Sequence, residues 1–258
     1  MSDKPFSEFI ELAKLCKATY SGPINHKIFH YNGEPFVGQK IIHGSFGRGF
    51  CRLVWNEKYI VMAFRGTREE IDWGETNFKT FPEPLRDCGE KGKKVKVHRG
   101  FQDALDFTDK TTRKPCLQAV CHHLKEKQLL NGRKIVITGH SLGGALAILF
   151  AVKFNQLFSD DMAGNLEHIV TFGSPSVGLK RFKHYYGSLG SKTFRLVNHA
   201  DLVPFTPPFH YYYQNKILIF IESFVLKKKS VRLKKWLDNK IVIYIEGFFS
   251  AGEKESRH

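Results

Sequence analysis

The sequence lacks several features that would assign it quickly to a class. No apolar run reaches the roughly 18 residues that a membrane-spanning helix needs. The first twenty residues contain no long apolar segment of the kind that secretory signals carry. The five cysteines have irregular spacings and form no C-x-x-C pair, which indicates neither a zinc site nor a disulfide framework. We therefore expect free thiols and a cytoplasmic protein.

Motifs for several other chemistries are also missing. The sequence has no H-E-x-x-H zinc-protease motif and no phosphate-binding P-loop, so no metal or cofactor is expected. It has no internal repeat and no low-complexity linker. What it does have is 258 residues, 42% of them hydrophobic, which is enough for a full core. The sequence predicts a single domain over residues 1–258.

The charge is strongly basic and unevenly distributed. The formal net charge is +15, which raises nucleic acid and anionic membranes as partners. Residues 216–240 carry eight basic and two acidic side chains, a local net charge of +6. Because no recognisable nucleic-acid-binding module accompanies the charge, nucleic acid is not an expected partner.

Strand-like and helix-like patterns alternate along the chain. Phe6–Tyr20 has the apolar spacing of an amphipathic helix. The predicted strands are Arg52–Trp55 and Tyr59–Phe64, as a hairpin, and then Lys134–Thr138, Ile169–Phe172 and Thr193–Val197. A mainly helical stretch from Gly100 to about Leu130 is interrupted near Pro115, and Leu142 to about Leu157 predicts a helix buried on most sides. This alternation favours a three-layer α/β fold with a mainly parallel sheet between helices.

The segment Gly139–Gly143 reads Gly-His-Ser-Leu-Gly and matches the G-x-S-x-G nucleophile elbow. It lies between a β-branched run and an apolar helix, which is the context that the motif requires. In such an elbow the chain turns sharply from strand to helix, and glycines two residues before and after the serine avoid steric clashes. The hydroxyl of Ser141 is therefore the candidate nucleophile.

Several segments resemble the class 3 lipases, which are fungal-lipase-like α/β-hydrolases. They cover about residues 20–208 and occur in the family's order: Val136–Ala147 around the elbow, Ala63–Thr67, Val97–Phe101, Thr171–Gly178 and Asp201–Pro204. The resemblance implies a three-layer α/β-hydrolase fold. It also implies a serine hydrolase that cleaves carboxylic esters, with acyl lipids as its expected substrates.

A serine nucleophile needs a base, and the base needs an orienting carboxylate. In α/β-hydrolases these follow the serine in the order acid, then histidine. Asp201 lies just past a predicted strand and occupies the family's D-x-V-P position, so it is the candidate acid. His210 and His258 are the histidines that follow it. The family's late placement of its base selects His258, although here His258 is the last residue and Arg257 stands where an acidic residue is common.

His210 stays open as the alternative base. The thirteen residues between Val197 and Tyr211 leave little room for a helical crossover. A strand starting near Tyr211 is therefore predicted to run antiparallel to the preceding strand, Thr193–Val197. That direction would begin it at the sheet edge that carries Asp201.

The tetrahedral intermediate needs two hydrogen-bond donors. The motif itself supplies the N–H of Leu142, the residue after the nucleophile. By resemblance, the second donor is Thr67. The resemblance also suggests a lid in the segment 68–84, which a fixed surface helix would explain equally well. His98, Gly100 and Phe101 match a family motif and are interpreted as structural residues at a helix start.

Two further functions remain open at this point. One is a catalytically silent lipid- or membrane-binding module of the same fold, since the histidine at the chain end stands beside a basic, apolar region. The other is a thioesterase or amidase, because a triad alone does not choose the leaving group.

The basic segment 216–240 generates a prediction about membranes. Leu233, Trp236, Leu237 and Ile241 share one helical face opposite lysines, the pattern of a helix that lies in a membrane interface. We expect stronger binding to anionic than to neutral vesicles, weakened by salt, with a contribution of about 1 kcal/mol per basic residue. Replacing Lys227, Lys228 and Lys229 with Gln should lower this binding in a vesicle co-sedimentation assay. Equal binding to both kinds of vesicle at low salt would contradict the hypothesis.

Overall fold

A seven-stranded sheet forms the centre of the protein. The computed structural model describes residues 4–21, 25–43, 49–66, 81–109, 111–157, 164–198, 201, 203–205 and 217–221. The sheet strands are β3 (Gly38–His43), β4 (Gly49–Trp55), β5 (Tyr59–Phe64), β8 (Lys134–His140), β9 (Leu166–Phe172), β10 (Thr193–Asn198) and β11 (Ile217–Ile221). Two small pairs, β1 (His30–Tyr31) with β2 (Glu34–Pro35) and β6 (Pro82–Pro84) with β7 (Lys96–His98), lie outside it.

The helices alternate with these strands. They are α1 (Lys4–Ala18), α2 (Gly89–Lys93), α3 (Arg99–Leu105), α4 (Cys116–Glu126), α5 (Leu142–Leu157) and α6 (Lys180–Tyr186). Short 3₁₀ turns occur at His26–Ile28, Gly187–Lys192 and Val203–Phe205. The predicted break near Pro115 is confirmed, since α3 ends at Leu105 and α4 begins at Cys116.

The sheet is mainly parallel, as the sequence predicted. Its strand order is β11-β10-β9-β8-β5-β4-β3. The five strands from β11 to β5 run parallel. At the other edge, β4 pairs antiparallel to β5, and β3 pairs antiparallel to β4. The predicted hairpin is confirmed as β4 and β5. The central strand β8 has five consecutive buried residues from Ile135 to Gly139, and its β-branched side chains suit a strand covered on both faces.

Helices cover both faces of the sheet, which gives three layers. The helix α1 buries Phe9, Leu12 and Cys16 against the face that includes Val136 and Val170. The helix α5 lies on the opposite face and contacts β8, β9 and β5. Thirteen of its sixteen residues are buried, which confirms the predicted burial on most sides.

A buried lysine fixes the far part of α5. Lys153 is 1% exposed, and its Nζ lies 2.6 Å from Asp106 Oδ1 and 3.3 Å from Asp87 Oδ2. Asp106 also accepts a bond from Arg86, 3.0 Å away. A buried ammonium is tolerated only when carboxylates compensate the loss of hydration. These pairs therefore tie α5 to the carboxyl end of α3, through Asp106, and to the segment before α2, through Asp87.

The predicted direction of the last strand is wrong. β11 pairs parallel to β10, with Phe194 opposite Ile217 and Asn198 opposite Ile221. It begins at Ile217 rather than near Tyr211, so eighteen residues separate it from Asn198. A connection of a dozen or more residues is long enough for the crossover that parallel pairing requires. The carboxyl end of β11, not its start, therefore lies at the edge beside Asn198.

Two further expectations concern cysteines and membranes. All five cysteines are buried, and they are free, as the prediction of free thiols required. Within the described ranges, none of the helices is both long and apolar enough to cross a membrane.

Candidate active site

The candidate nucleophile sits at the turn between β8 and α5. Ser141 has a φ of +56°, a left-handed conformation that non-glycine residues rarely adopt. Its N–H donates to the carbonyl of Phe172 at the end of β9, 2.9 Å away. Its own carbonyl accepts from the N–H of Gly144, 2.8 Å away. These two bonds hold the serine in a conformation that costs on the order of 1 kcal/mol or more.

Three glycines make this turn sterically feasible. A methyl group on Gly139 would collide with the carbonyl of Gly143, and one on Gly143 would collide with the carbonyl of Phe64. A methyl group on Gly144 would lie 2.6 Å from the Cβ of Ser174. The glycines therefore let the first turn of α5 approach the ends of β5 and β9, as the motif predicted.

The end of β5 also approaches the elbow closely. A Cβ on Gly66 would lie 2.6 Å from the carbonyl oxygen of His140. Leu142 and Thr67 are the two predicted oxyanion residues. Leu142 is the first residue of α5, a position whose N–H has no acceptor within the helix. Thr67, which follows Gly66, lies outside the described residues.

Asp201 lies beside the same end of β9. A Cβ on Gly173 would be 2.6 Å from Asp201 Oδ2. The carboxylate also accepts from the N–H of Val203, with 2.9 Å between Val203 N and Asp201 Oδ1. Burial raises the pKa of Asp201 above its usual value, whereas the Val203 N–H and the charge of Arg195 act in the opposite direction. Ser141 is hydrogen-bonded to Phe172, and Asp201 lies against Gly173, the next residue. Ser141 and Asp201 therefore contact adjacent residues at the end of β9.

His140 is a site residue that the sequence analysis did not assign. Its Nδ1 lies 3.0 Å from the hydroxyl of Tyr20, and its Nε2 would be 3.9 Å from a Cβ on Gly173. Burial lowers the pKa of His140 to about 4, so the ring is neutral at physiological pH. It occupies the first variable position of the G-x-S-x-G motif, and no local signal marks the contact with a residue 120 positions away.

Other predicted residues have different outcomes. His98 caps α3, accepting from the N–H of Phe101 at 3.3 Å, and its ring stacks on that of Phe101. The structural interpretation of this motif at a helix start is therefore confirmed. The predicted lid segment covers residues 68–84. Its last three residues, Pro82–Pro84, form β6 and pair with β7, so the moving part of a lid could not include them. Its residues 68–80, like His210 and His258, lie outside the described residues.

The cysteines offer no alternative nucleophile. Burial raises the pKa of every one of the five thiols, to about 11 for Cys88 and about 12 for Cys16 and Cys121. A thiol rather than a thiolate is a poor nucleophile near neutral pH. Among the described residues, no three His, Cys, Asp or Glu side chains are grouped so as to hold a metal ion.

The layered sheet and the strained serine at its strand–helix turn define an α/β-hydrolase fold. The chain matches the family described as Lipase (class 3) over residues 61–211. Its match to a secreted mono- and diacylglycerol lipase of Malassezia globosa has 32% identity and covers 83% of this chain and 68% of that protein. The chain therefore belongs to the class 3 lipase family, which confirms the resemblance seen in the sequence.

Two more comparisons support the family and the fold. The chloroplastic phospholipase A1-Igamma2 of Arabidopsis thaliana is 32% identical over 57% of this chain, which spans 30% of that longer protein. A solved triacylglycerol lipase, described as having a serine protease triad as its catalytic centre, has a TM-score of 0.64 and 23% identity, covering 86% of this chain and 82% of that one. Because the named relatives include a secreted and a chloroplastic protein, the cytoplasmic location stays a prediction.

The contact between Gly173 and Asp201 generates a prediction. In Gly173→Ala, the new methyl group would displace the carboxylate and the residue would keep an unfavourable φ of +57°. We expect kcat for an activated ester to fall about 10²-fold, since a displacement of about 1 Å can have that effect. The matched control is Gly33→Ala, with a φ of +79° but open space around the added methyl. It should lose stability and keep its activity; equal activity losses in the two variants would contradict the prediction.

Proposed function

We propose that the chain is a serine ester hydrolase that acts on acyl lipids. The observation that carries this proposal is the left-handed Ser141 at the strand–helix turn, with Asp201 on the other side of the Phe172–Gly173 backbone. Membership of the class 3 lipases supports the reaction type. Relatives named as a mono- and diacylglycerol lipase and a phospholipase A1 share one substrate group, the carboxylic ester of an acyl lipid.

The proposed mechanism follows from the roles of these residues. Ser141 Oγ attacks the ester carbonyl while His258 removes its proton, and Asp201 orients the imidazole and stabilises its charged form. The N–H of Leu142 and the donor groups of Thr67 stabilise the oxyanion. The alcohol leaves with a proton from His258, and water then attacks the acyl-enzyme in a second cycle of the same steps. The close approach of Gly66 to His140 supports the role of Thr67, the next residue.

The strain at Ser141 disfavours the silent-module alternative. A left-handed serine destabilises the folded state, whereas a glycine would adopt the same conformation without that cost. A protein that only binds lipid gains nothing from a serine there, but an acyl-transfer enzyme needs its hydroxyl. A thioester substrate would use the same groups, since the triad does not choose the leaving group.

Loss of the nucleophile tests the proposed function directly. Ser141→Ala should reduce hydrolysis of short-chain p-nitrophenyl esters by about four orders of magnitude or more, because no other group replaces the attacking oxygen. Ser176→Ala, a change at another buried serine, is the matched control and should keep its activity. A fluorophosphonate should label Ser141 in the wild-type protein. Unchanged turnover in Ser141→Ala, or no labelling of an inert wild type, would overturn the proposal.

The direction of β11 supports His258 as the base. The strand ends at Ile221, which lies beside Asn198. Because Asn198 is three residues before Asp201, the chain that follows β11 departs from the edge that carries Asp201. The start of β11 lies beside Phe194 at the other edge, which removes the geometric argument for His210. A base must reach the serine and hydrogen-bond the acid.

The two histidines can be separated by matched alanine variants. We expect His258→Ala to lose nearly as much ester hydrolysis as Ser141→Ala, because both remove an essential member of the triad. His210→Ala should keep a measurable fraction of the activity. Rates of fluorophosphonate labelling should rank the variants in the same order as turnover. The reverse ranking would assign the base to His210.

A further inference from the structure

A buried arginine stands next to the candidate site. Arg195 on β10 is only 1% exposed and is one of the largest fully buried side chains among the described residues. Its neighbours Phe194 and Leu196 belong to the α1 face of the sheet, so Arg195 points to the α5 face. Burial of a guanidinium is strongly unfavourable unless hydrogen-bond acceptors compensate the loss of hydration. The protein therefore keeps this residue at a cost that ordinary core packing does not require.

The guanidinium bridges two loops. Arg195 Nη2 donates to the carbonyl of Ser174, 2.6 Å away, and to the carbonyl of Pro204, 2.9 Å away. Ser174 follows the end of β9, and Pro204 lies three residues after Asp201. Because one nitrogen atom contacts both carbonyls, it limits the distance between the two loops.

Each of these loops contacts a different part of the candidate site. The first loop contains Gly173, which lies against Asp201 Oδ2, and Ser174, which packs on Gly144 in the first turn of α5. The second contains Asp201 itself, held by the N–H of Val203. A continuous set of contacts thus runs from the turn at Ser141 through Ser174 and Arg195 to the Asp201 loop.

The charge of Arg195 acts on the same carboxylate. It opposes the burial that raises the pKa of Asp201, and so favours the ionised form that an imidazolium needs as its partner. With a neutral residue of similar size in place of Arg195, burial would raise the pKa of Asp201 further. The hydrogen bonds of Arg195 and its charge therefore both act on Asp201.

We infer that Arg195 is a positioning residue, whose guanidinium holds the Ser174 and Pro204 carbonyls together and thereby fixes the Asp201 carboxylate relative to Ser141. The catalytic part of this inference rests on the proposed function. The link between Arg195 and the Asp201 loop does not, because it is a property of the folded protein.

A double-mutant cycle tests the catalytic part. Arg195→Met should lower kcat about 10²-fold with KM changed less than about twofold, since substrate contacts are unaffected. In an Asp201→Ala background, the same change should cost less than about threefold, because the group through which Arg195 acts is gone. Arg52→Met is the matched control: Arg52 is also buried, but it lies on β4 and donates to Gln39, 2.8 Å away. It should keep kcat near the wild-type value.

The titration of the Asp201 carboxyl, followed by carbon-13 NMR, tests the link without using activity. Arg195→Met should raise the pKa of Asp201, and Arg195→Lys, which keeps the charge but not the planar fork, should raise it less. Arg195→Lys also serves in the kinetic cycle if Arg195→Met does not fold, with a smaller but equally non-additive loss. Losses that multiply with those of Asp201→Ala, or an unchanged Asp201 titration in a folded Arg195 variant, would overturn the inference. An inert wild type would contradict the proposed function alone, and the titration would then decide the inference.

Discussion

The rest of the candidate site depends on the left-handed turn at Ser141. The chain changes from strand to helix at this one residue, and bonds to Phe172 and Gly144 hold it there. The packing around the turn brings in the ends of two neighbouring strands, because Gly143 approaches the Phe64 carbonyl and Gly144 approaches Ser174. A larger side chain at either glycine would separate the helix from the sheet. The backbone contacts that hold the strained serine are therefore also the contacts that surround the candidate site.

Burial determines which groups near this turn carry charge. It keeps the pKa of His140 at about 4, so the ring next to Ser141 is neutral, and its Nδ1 pairs with the hydroxyl of Tyr20. Asp201 is also partly buried, but there the nearby Arg195 favours the ionised form. A neutral ring beside the serine and a cation near the carboxylate favour a negative charge on Asp201, where the proposed base would need it when protonated.

The sequence was informative where the structure depends on near neighbours. The helix α5 was predicted from Leu142 to about Leu157 and is observed over Leu142–Leu157, since the apolar pattern and the elbow lie within one continuous segment. The contacts of His140 with Tyr20 and of Arg195 with Ser174 join residues 120 and 21 positions apart, and no local pattern encodes them. The error in the direction of β11 had a local cause. Placing its start near Tyr211 rather than at Ile217 made the connection look too short for a crossover.

The strand order explains why residues from distant segments meet at this turn. β5, β8, β9 and β10 are successive neighbours and run parallel, so their carboxyl ends share one edge. Gly66, Ser141, Gly173 and Asp201 each follow one of these four ends. Ligand sites of open α/β sheets form in the loops outside the carboxyl ends of the strands. Those loops still need a fixed spacing, and here buried backbone carbonyls and one guanidinium supply it. Parallel pairing thus brings the groups together, and the contacts behind them determine their geometry.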